Sequence, residues 1–235
     1  MSLRMNIYGW SLTDFRNVLG NNDAVLLEKA TALVHETLLN EPACSQAVAW
    51  LQTLLKKGFP LRSERGPAAA PVMGDLVTVK MENEAHVFAI YCLARAIARE
   101  GQLDLAGESS EWSQPAVNSL YRELGACGFT KSKDCCVQYF TWMSGLSRGT
   151  PLFGDDFQSE WSYYTVFSNS DLANMIPVFQ AAADFKRTLP DNIPEEHART
   201  IATELSDQGK DFVRDLVKWF GQIQQAGQDA LILWH

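Results

Sequence analysis

Long apolar runs are missing from this 235-residue sequence. The most apolar stretch, His86 to Ala98, is interrupted by Arg95 and is shorter than the roughly 20 residues that a membrane-spanning helix needs. The first residues also do not form the positively charged and then apolar segment of a secretory leader. These two absences predict a soluble, cytoplasmic protein that does not associate with membranes.

Cysteine and basic residues are both scarce. The chain has five cysteines, and an odd number with Cys135 and Cys136 adjacent is not the disulfide framework of a small secreted domain. We therefore expect reduced thiols. Asp and Glu number 28 against 20 Lys and Arg, which gives a net charge of −8. An acidic chain is repelled by phosphate backbones, so nucleic acid is not an expected partner.

Several motifs of enzymes and metal sites are also missing. Nothing matches a nucleophile elbow, a phosphate-binding glycine loop or a dinucleotide fingerprint. No two histidines pair at helical spacing, so we expect no metal and no other cofactor. The histidines are His35, His86, His197 and His235. His35, beside Glu36, is interpreted as a solvated surface residue, and Cys44 and Cys92 as buried structural thiols.

Apolar residues are plentiful, by contrast. Hydrophobic residues make up 46% of the chain and seven residues are tryptophan, which is enough for one core. The length lies at the upper end of what a single domain commonly uses. Residues 1–4 precede a second methionine, Met5, and are interpreted as a remnant of expression cloning. The sequence thus predicts one globular domain over residues 5–235.

Hydrophobic periodicity predicts about seven helices and three short strands. A helix over residues 82–100, apolar on nearly all sides, is predicted at the centre of the fold. An aromatic-rich helix is predicted over 134–143, and an irregular loop over 59–75. The predicted strands cover residues 5–10, 163–167 and 230–234. The expected fold class is α+β, with helices packed around a small sheet.

One internal similarity bears on the architecture. The segment Ile7–Leu19 aligns without gaps with Tyr164–Ile176, and both contain Ser, Asp and Asn at the same positions. Each segment has the pattern of a strand, a capping serine and a helix. The similarity indicates either a duplication or the repeated chemistry of helix capping. Either origin predicts two similar βα units.

The segment from Pro151 to Trp161 is the main candidate for a binding site. It places three carboxylates among aromatic side chains within eleven residues, in a predicted loop. The predicted binding residues are Asp155, Asp156, Phe157, Glu160 and Trp161. The carboxylates can bind a cation, act as an acid/base pair or face a protein partner, or the segment is a turn anchored to the core. No catalytic residue is assigned.

Four features of the chain resemble an uncharacterised family of bacterial proteins. They are the N-terminal strand followed by an Asp-containing helix, the helix from Trp112 to Gly125, the Pro151–Phe157 loop with its Asp-Asp-Phe sequence, and the last helix that continues through Gly227 into an apolar strand. The resemblance implies a bacterial, cytosolic protein and transfers no catalytic residue. The continuation Gln158-Ser159-Glu160 and the Pro-rich loop over 59–75 depart from it.

The sequence therefore favours a non-enzymatic protein-binding or regulatory module, because an acidic surface with aromatic residues suits such a role. The alternative is a carboxylate-based hydrolase or transferase that uses Asp155, Asp156 and Glu160. A deep cleft around these carboxylates would favour the enzyme, whereas a flat acidic patch would favour the binding protein.

Overall fold

The computed structural model describes residues 4–38, 41–57, 76–98, 104–137, 139 and 164–234. Within these residues the chain forms eight α-helices, one short 3₁₀ helix and four strands. The strands are β1 (Arg4–Trp10), β2 (Asp104–Ser113), β3 (Tyr164–Phe167) and β4 (Asp229–Trp234). The helices are α1 (Leu12–Val18), α2 (Ala24–Thr37), α3 (Glu41–Lys57), α4 (Leu76–Ile97), α5 (Gln114–Ala126), α6 (Asn169–Asp184), α7 (Glu195–Ala198) and α8 (Asp207–Gln225). The α+β class is confirmed.

The four strands form one sheet in the order β2-β1-β4-β3, and every neighbouring pair is antiparallel. Ile232 of β4 is paired with Ile7 of β1 on one side and with Thr165 of β3 on the other. Strands β1 and β3 therefore run parallel to each other on either side of β4. The central position of β4 agrees with its sequence, because every residue from Ala230 to Leu233 is buried.

Three of these strands match the predicted ones, whereas β2 was not predicted. Its sequence, DLAGESSEWS, has few apolar residues and no clear alternation. Strand β2 lies at the edge of the described sheet, and its pairing with β1 contains two register shifts. At Gly107 a Cβ atom would lie 2.2 Å from the indole ring of Trp219 in α8. The strand is therefore held by backbone pairing and by this ring, which packs directly on the glycine.

Helices cover both faces of the sheet. On one face, the ring of Phe167 lies 6.1 Å from that of Phe220 in α8. On the other face, the ring of Tyr8 lies 5.4 Å from that of Tyr91 in α4. Helix α4 also packs against α2 and α3. The arrangement is three layers, with the sheet in the middle.

Helix α4 occupies the central position that was predicted for residues 82–100, although it begins earlier, at Leu76, and ends at Ile97. Its described buried side chains include Ala85, Ala89, Ile90 and Leu93, which are completely enclosed. The predicted loop over 59–75 and half of the predicted helix over 134–143 lie outside the described residues, and residues 134–136, at the predicted start of that helix, are described and are not helical. No helix in the described ranges is both long and apolar enough to cross a membrane.

Two similar βα units flank β4, as the internal similarity predicts. In the first, β1 leads into α1, where the Ser11 hydroxyl accepts a hydrogen bond from the Asp14 backbone N–H (3.1 Å). In the second, β3 leads into α6, where the Ser168 hydroxyl accepts from the Asp171 N–H (3.2 Å). The two helices thus begin with the same local chemistry.

A single carboxylate joins the starts of the two units. Asp229, the first residue of β4, accepts a hydrogen bond from the backbone N–H of Leu12 (3.0 Å) and another from that of Asn169 (2.8 Å). Leu12 and Asn169 are the first residues of α1 and α6. The carboxylate therefore accepts a hydrogen bond from one N-terminal amide of each helix, and neither amide has a partner within its own helix. It also lies at the positive end of both helix dipoles.

Candidate functional site

The five predicted binding residues, Asp155, Asp156, Phe157, Glu160 and Trp161, lie outside the described residues. The strand that follows this segment in the sequence, β3, is described.

Strand β3 follows the predicted segment in the sequence. Trp161 precedes Tyr164, the first residue of β3, by three positions. In the described sheet β3 pairs only with β4, so it is an edge strand. The described strand that follows the predicted segment in sequence is therefore at the rim of the described sheet.

A thiol and an imidazole meet where α2 ends and α3 begins. The Sγ atom of Cys44 lies 3.0 Å from Nδ1 of His35. His35 is in the last turn of α2, and Cys44 is the fourth residue of α3. The His35 side chain is exposed, whereas Cys44 is only 3% exposed and belongs to the core. The imidazole therefore lies on the solvent side of a nearly enclosed sulfur atom.

The helix ends give this junction an electrostatic direction. The C-terminal end of α2 carries a partial negative charge, which stabilises a cation nearby. The N-terminal end of α3 carries a partial positive charge, which stabilises an anion. His35 stands in the last turn of α2 and Cys44 in the first turn of α3. The pair thus places a base beside a nucleophile, which is the arrangement that thiol chemistry uses.

A second thiol lies next to this pair. Cys92 of α4 is completely buried, and burial raises its pKa to about 11. A hydrogen bond with Thr37 and the positive charge of Arg95 act in the opposite direction, and Cys44 adds a smaller increase. Cys92 is therefore protonated and unreactive at neutral pH, although it lies close enough to Cys44 to interact with it electrostatically.

The other three cysteines lie elsewhere in the fold. Cys127 is buried, and its thiol donates a weak hydrogen bond to the carbonyl oxygen of Leu124 (3.5 Å). Cys135 and Cys136 are half-buried. Burial, followed by the effects of Cys136 and Cys127, raises the pKa of the Cys135 thiol above its usual value. All five cysteines are free thiols.

The His35–Cys44 pair by itself supplies two soft or borderline ligands. In the described part of the chain, however, no three His, Cys, Asp or Glu side chains converge as a metal site requires. A cavity of about 10 Å³ lies elsewhere, next to the start of α1, and it holds at most one water molecule. Its walls are formed by Trp10, Ser11, Asp14, Ala94, Ile97 and Ala98.

Comparison with known proteins gives no match: no protein-family model, curated protein or solved structure is significantly similar to this chain.

Sequence reasoning missed the His35–Cys44 pair, because it treated the two residues separately. His35 was interpreted as a solvated histidine, which agrees with its exposure, and Cys44 as a structural thiol, which agrees with its burial. The available signal was the short connection between two predicted helices, which brings the end of the first next to the start of the second. A histidine in the last turn of the first helix and a cysteine in the first turn of the second helix are then neighbours.

Proposed function

We propose that the protein is a bacterial, cytoplasmic protein-binding or regulatory module without enzymatic activity, and that it binds its partner through the segment from Asp155 to Trp161. The position of β3 is the observation that carries this proposal. In the described sheet β3 is an edge strand, and it begins three residues after Trp161 in the sequence. Loops attached to a rigid sheet in this way commonly form binding sites.

The chemistry of the segment supports a protein partner. Aromatic side chains such as Phe157 and Trp161 contribute much of the energy at protein interfaces, because they bury a large area at a small entropic cost. The neighbouring carboxylates Asp155, Asp156 and Glu160 favour a partner with a basic surface. The net charge of −8 extends this preference to longer range and speeds the encounter with such a partner.

Affinity capture with the double variant Asp155→Asn/Asp156→Asn tests the proposal. The tagged wild-type chain should retain a partner in stoichiometric amount from an extract of its own cells, and the variant should retain at least about tenfold less, since rim charges set encounter rates and specificity. The variant and the wild type should have the same midpoint urea concentration for unfolding. A matched control is Asp191→Asn/Glu196→Gln, which removes two negative charges from exposed positions outside the segment.

Two results would contradict a binding role for the segment. The first is equal capture by the wild type, the variant and the control. The second is a hydrolytic or transfer activity of the purified wild type that the Asp155→Asn/Asp156→Asn variant loses while still folding, which would favour the carboxylate-based enzyme instead.

A further inference from the structure

We propose that Cys44 is a site of reversible thiol modification, at which a low-molecular-weight disulfide forms a mixed disulfide with the protein and His35 transfers the proton. The proposal is independent of the segment from Asp155 to Trp161. It is based on the 3.0 Å contact between Cys44 Sγ and His35 Nδ1 and on the placement of that contact at two helix ends.

The exchange balances without any other reagent. Cys44 Sγ attacks one sulfur of the small disulfide while Nδ1 of His35 takes the thiol proton. The sulfur–sulfur bond of the reagent breaks, a new one forms to Cys44, and the departing thiolate takes the proton back from the imidazolium. One small thiol is released for each mixed disulfide formed, and a second small thiol reverses the reaction.

Access to the sulfur requires a local opening at the helix junction. Cys44 is 3% exposed, and the side chain beside it on the solvent side is His35, which is itself exposed. Because His35 Nδ1 must stay in contact with Sγ to take the proton, the reagent has to reach the sulfur beside the imidazole, through a small separation of the end of α2 from the start of α3.

The surroundings make the reaction selective for Cys44. Cys92 has a pKa of about 11, so about one molecule in ten thousand carries its thiolate at pH 7. Cys127 is completely buried, and its thiol contacts the carbonyl oxygen of Leu124 rather than a base. Cys135 and Cys136 are more exposed than Cys44, but in the described residues neither contacts an imidazole. Exposure alone predicts reaction at Cys135 and Cys136, whereas activation by His35 predicts reaction at Cys44.

The product also has a structural consequence. Cys44 is part of the core cluster, next to the point where α2 meets α3. A bulky group on its sulfur does not fit in a position that is 97% enclosed, so the end of α2 must move away from the start of α3. Modification at this site thus changes the shape and the stability of the helical layer.

Glutathione disulfide is the probe for the test. The full-length reduced protein is incubated with it at pH 7, and the rate of modification at each cysteine is followed by peptide mass mapping. We expect Cys44 to react at least about tenfold faster than Cys92 and Cys127. His35→Gln should slow the reaction of Cys44 at least about tenfold. The matched control is Glu28→Gln, an exposed carboxylate on α2 two turns before His35, which should change the rate less than twofold.

A second measurement separates activation from a change in folding. In denaturing urea the contact between His35 and Cys44 is lost, so the wild type and His35→Gln should react at the same rate there. The modified protein should also melt at a lower temperature than the reduced protein, and a small thiol should restore the original melting temperature. Equal rates for the folded wild type and folded His35→Gln would overturn the proposal, as would reaction at Cys135 and Cys136 with Cys44 left untouched.

Discussion

Replacing Asp229 by alanine should destabilise the protein more than the loss of an ordinary helix cap does. Its carboxylate accepts hydrogen bonds from the first amides of two helices, at 3.0 Å from Leu12 and 2.8 Å from Asn169. A hydrogen bond to a charged group contributes about 1.5–3 kcal/mol, and partial exposure of Asp229 moves each bond to the lower end of that range. We expect Asp229→Ala to lower the free energy of unfolding by about 2–4 kcal/mol.

An asparagine at this position should be less harmful than alanine but still costly. Asp229→Asn keeps one acceptor oxygen for one of the two amides. Its NH₂ group then points at the other amide, so two donors face each other and neither is satisfied. The expected loss is about 1–3 kcal/mol. Rescue by asparagine is therefore partial.

Asp23 provides a matched comparison within the same chain. It caps α2 through a single hydrogen bond, from the Leu26 N–H to its carboxylate (2.9 Å), and it is half-buried like Asp229. Asp23→Ala should cost about 1 kcal/mol. Urea unfolding followed by circular dichroism gives both values in one assay. If Asp229→Ala costs no more than Asp23→Ala, the shared carboxylate does not stabilise both helices and the reasoning is refuted.

Three further predictions concern the sheet and the buried thiol. Removing residues 230–235 should abolish cooperative thermal unfolding, because it deletes the central strand; an unchanged melting temperature would contradict the observed strand order. Gly107→Ala should destabilise the protein by about 1–3 kcal/mol, because the new Cβ atom would clash with the Trp219 ring. Gly125→Ala should stabilise it by about 0.5–1 kcal/mol, because Gly125 lies on an exposed helix position and its Cβ atom would have no neighbour within 4 Å. Equal effects of the two substitutions in urea unfolding would refute this contrast. The pKa of the Cys92 thiol is raised from 9.0 to about 11 in the folded state. Between these pH values the unfolded state loses the thiol proton while the folded state keeps it. The free energy of unfolding is therefore unaffected by Cys92 below pH 9 and falls as the pH rises to 11. From pH 9 to pH 11 the free energy of unfolding of the wild type should fall by up to about 3 kcal/mol more than that of Cys92→Ala. Parallel plots of unfolding free energy against pH for the two proteins would contradict the assignment.

The parts of the fold that follow local rules were predictable from the sequence. Strands β1, β3 and β4 are apolar runs, and the two βα units share a capping serine and an aspartate three residues later, so both appeared in the sequence pattern. Strand β2 was not predictable in this way, because a polar edge strand lacks the alternation that marks a half-buried one. Its place depends on pairing with β1 and on the Trp219 ring, about 100 residues away along the chain.

The same distinction applies to the functional residues. Composition predicted the segment from Asp155 to Trp161, which lies outside the described residues, so that prediction stays open. The His35–Cys44 contact needed the exact positions of two helix ends, which sequence patterns locate only to within a few residues. Asp229 binds amides that are 217 and 60 positions away, and no local pattern around residue 229 reports such partners.

The central position of β4 also determines when the sheet can be completed during synthesis. Trp10 is paired with Asp229, which the ribosome adds 219 residues later. At about 5–20 residues per second this interval is roughly 10–45 s. Throughout that time β1 has no neighbour on its β4 side, and β3 has none at all in the described sheet until β4 emerges. Open strand edges on a nascent chain pair readily with other chains, so we expect the newly made protein to depend on chaperones and to aggregate when synthesis stalls before residue 229.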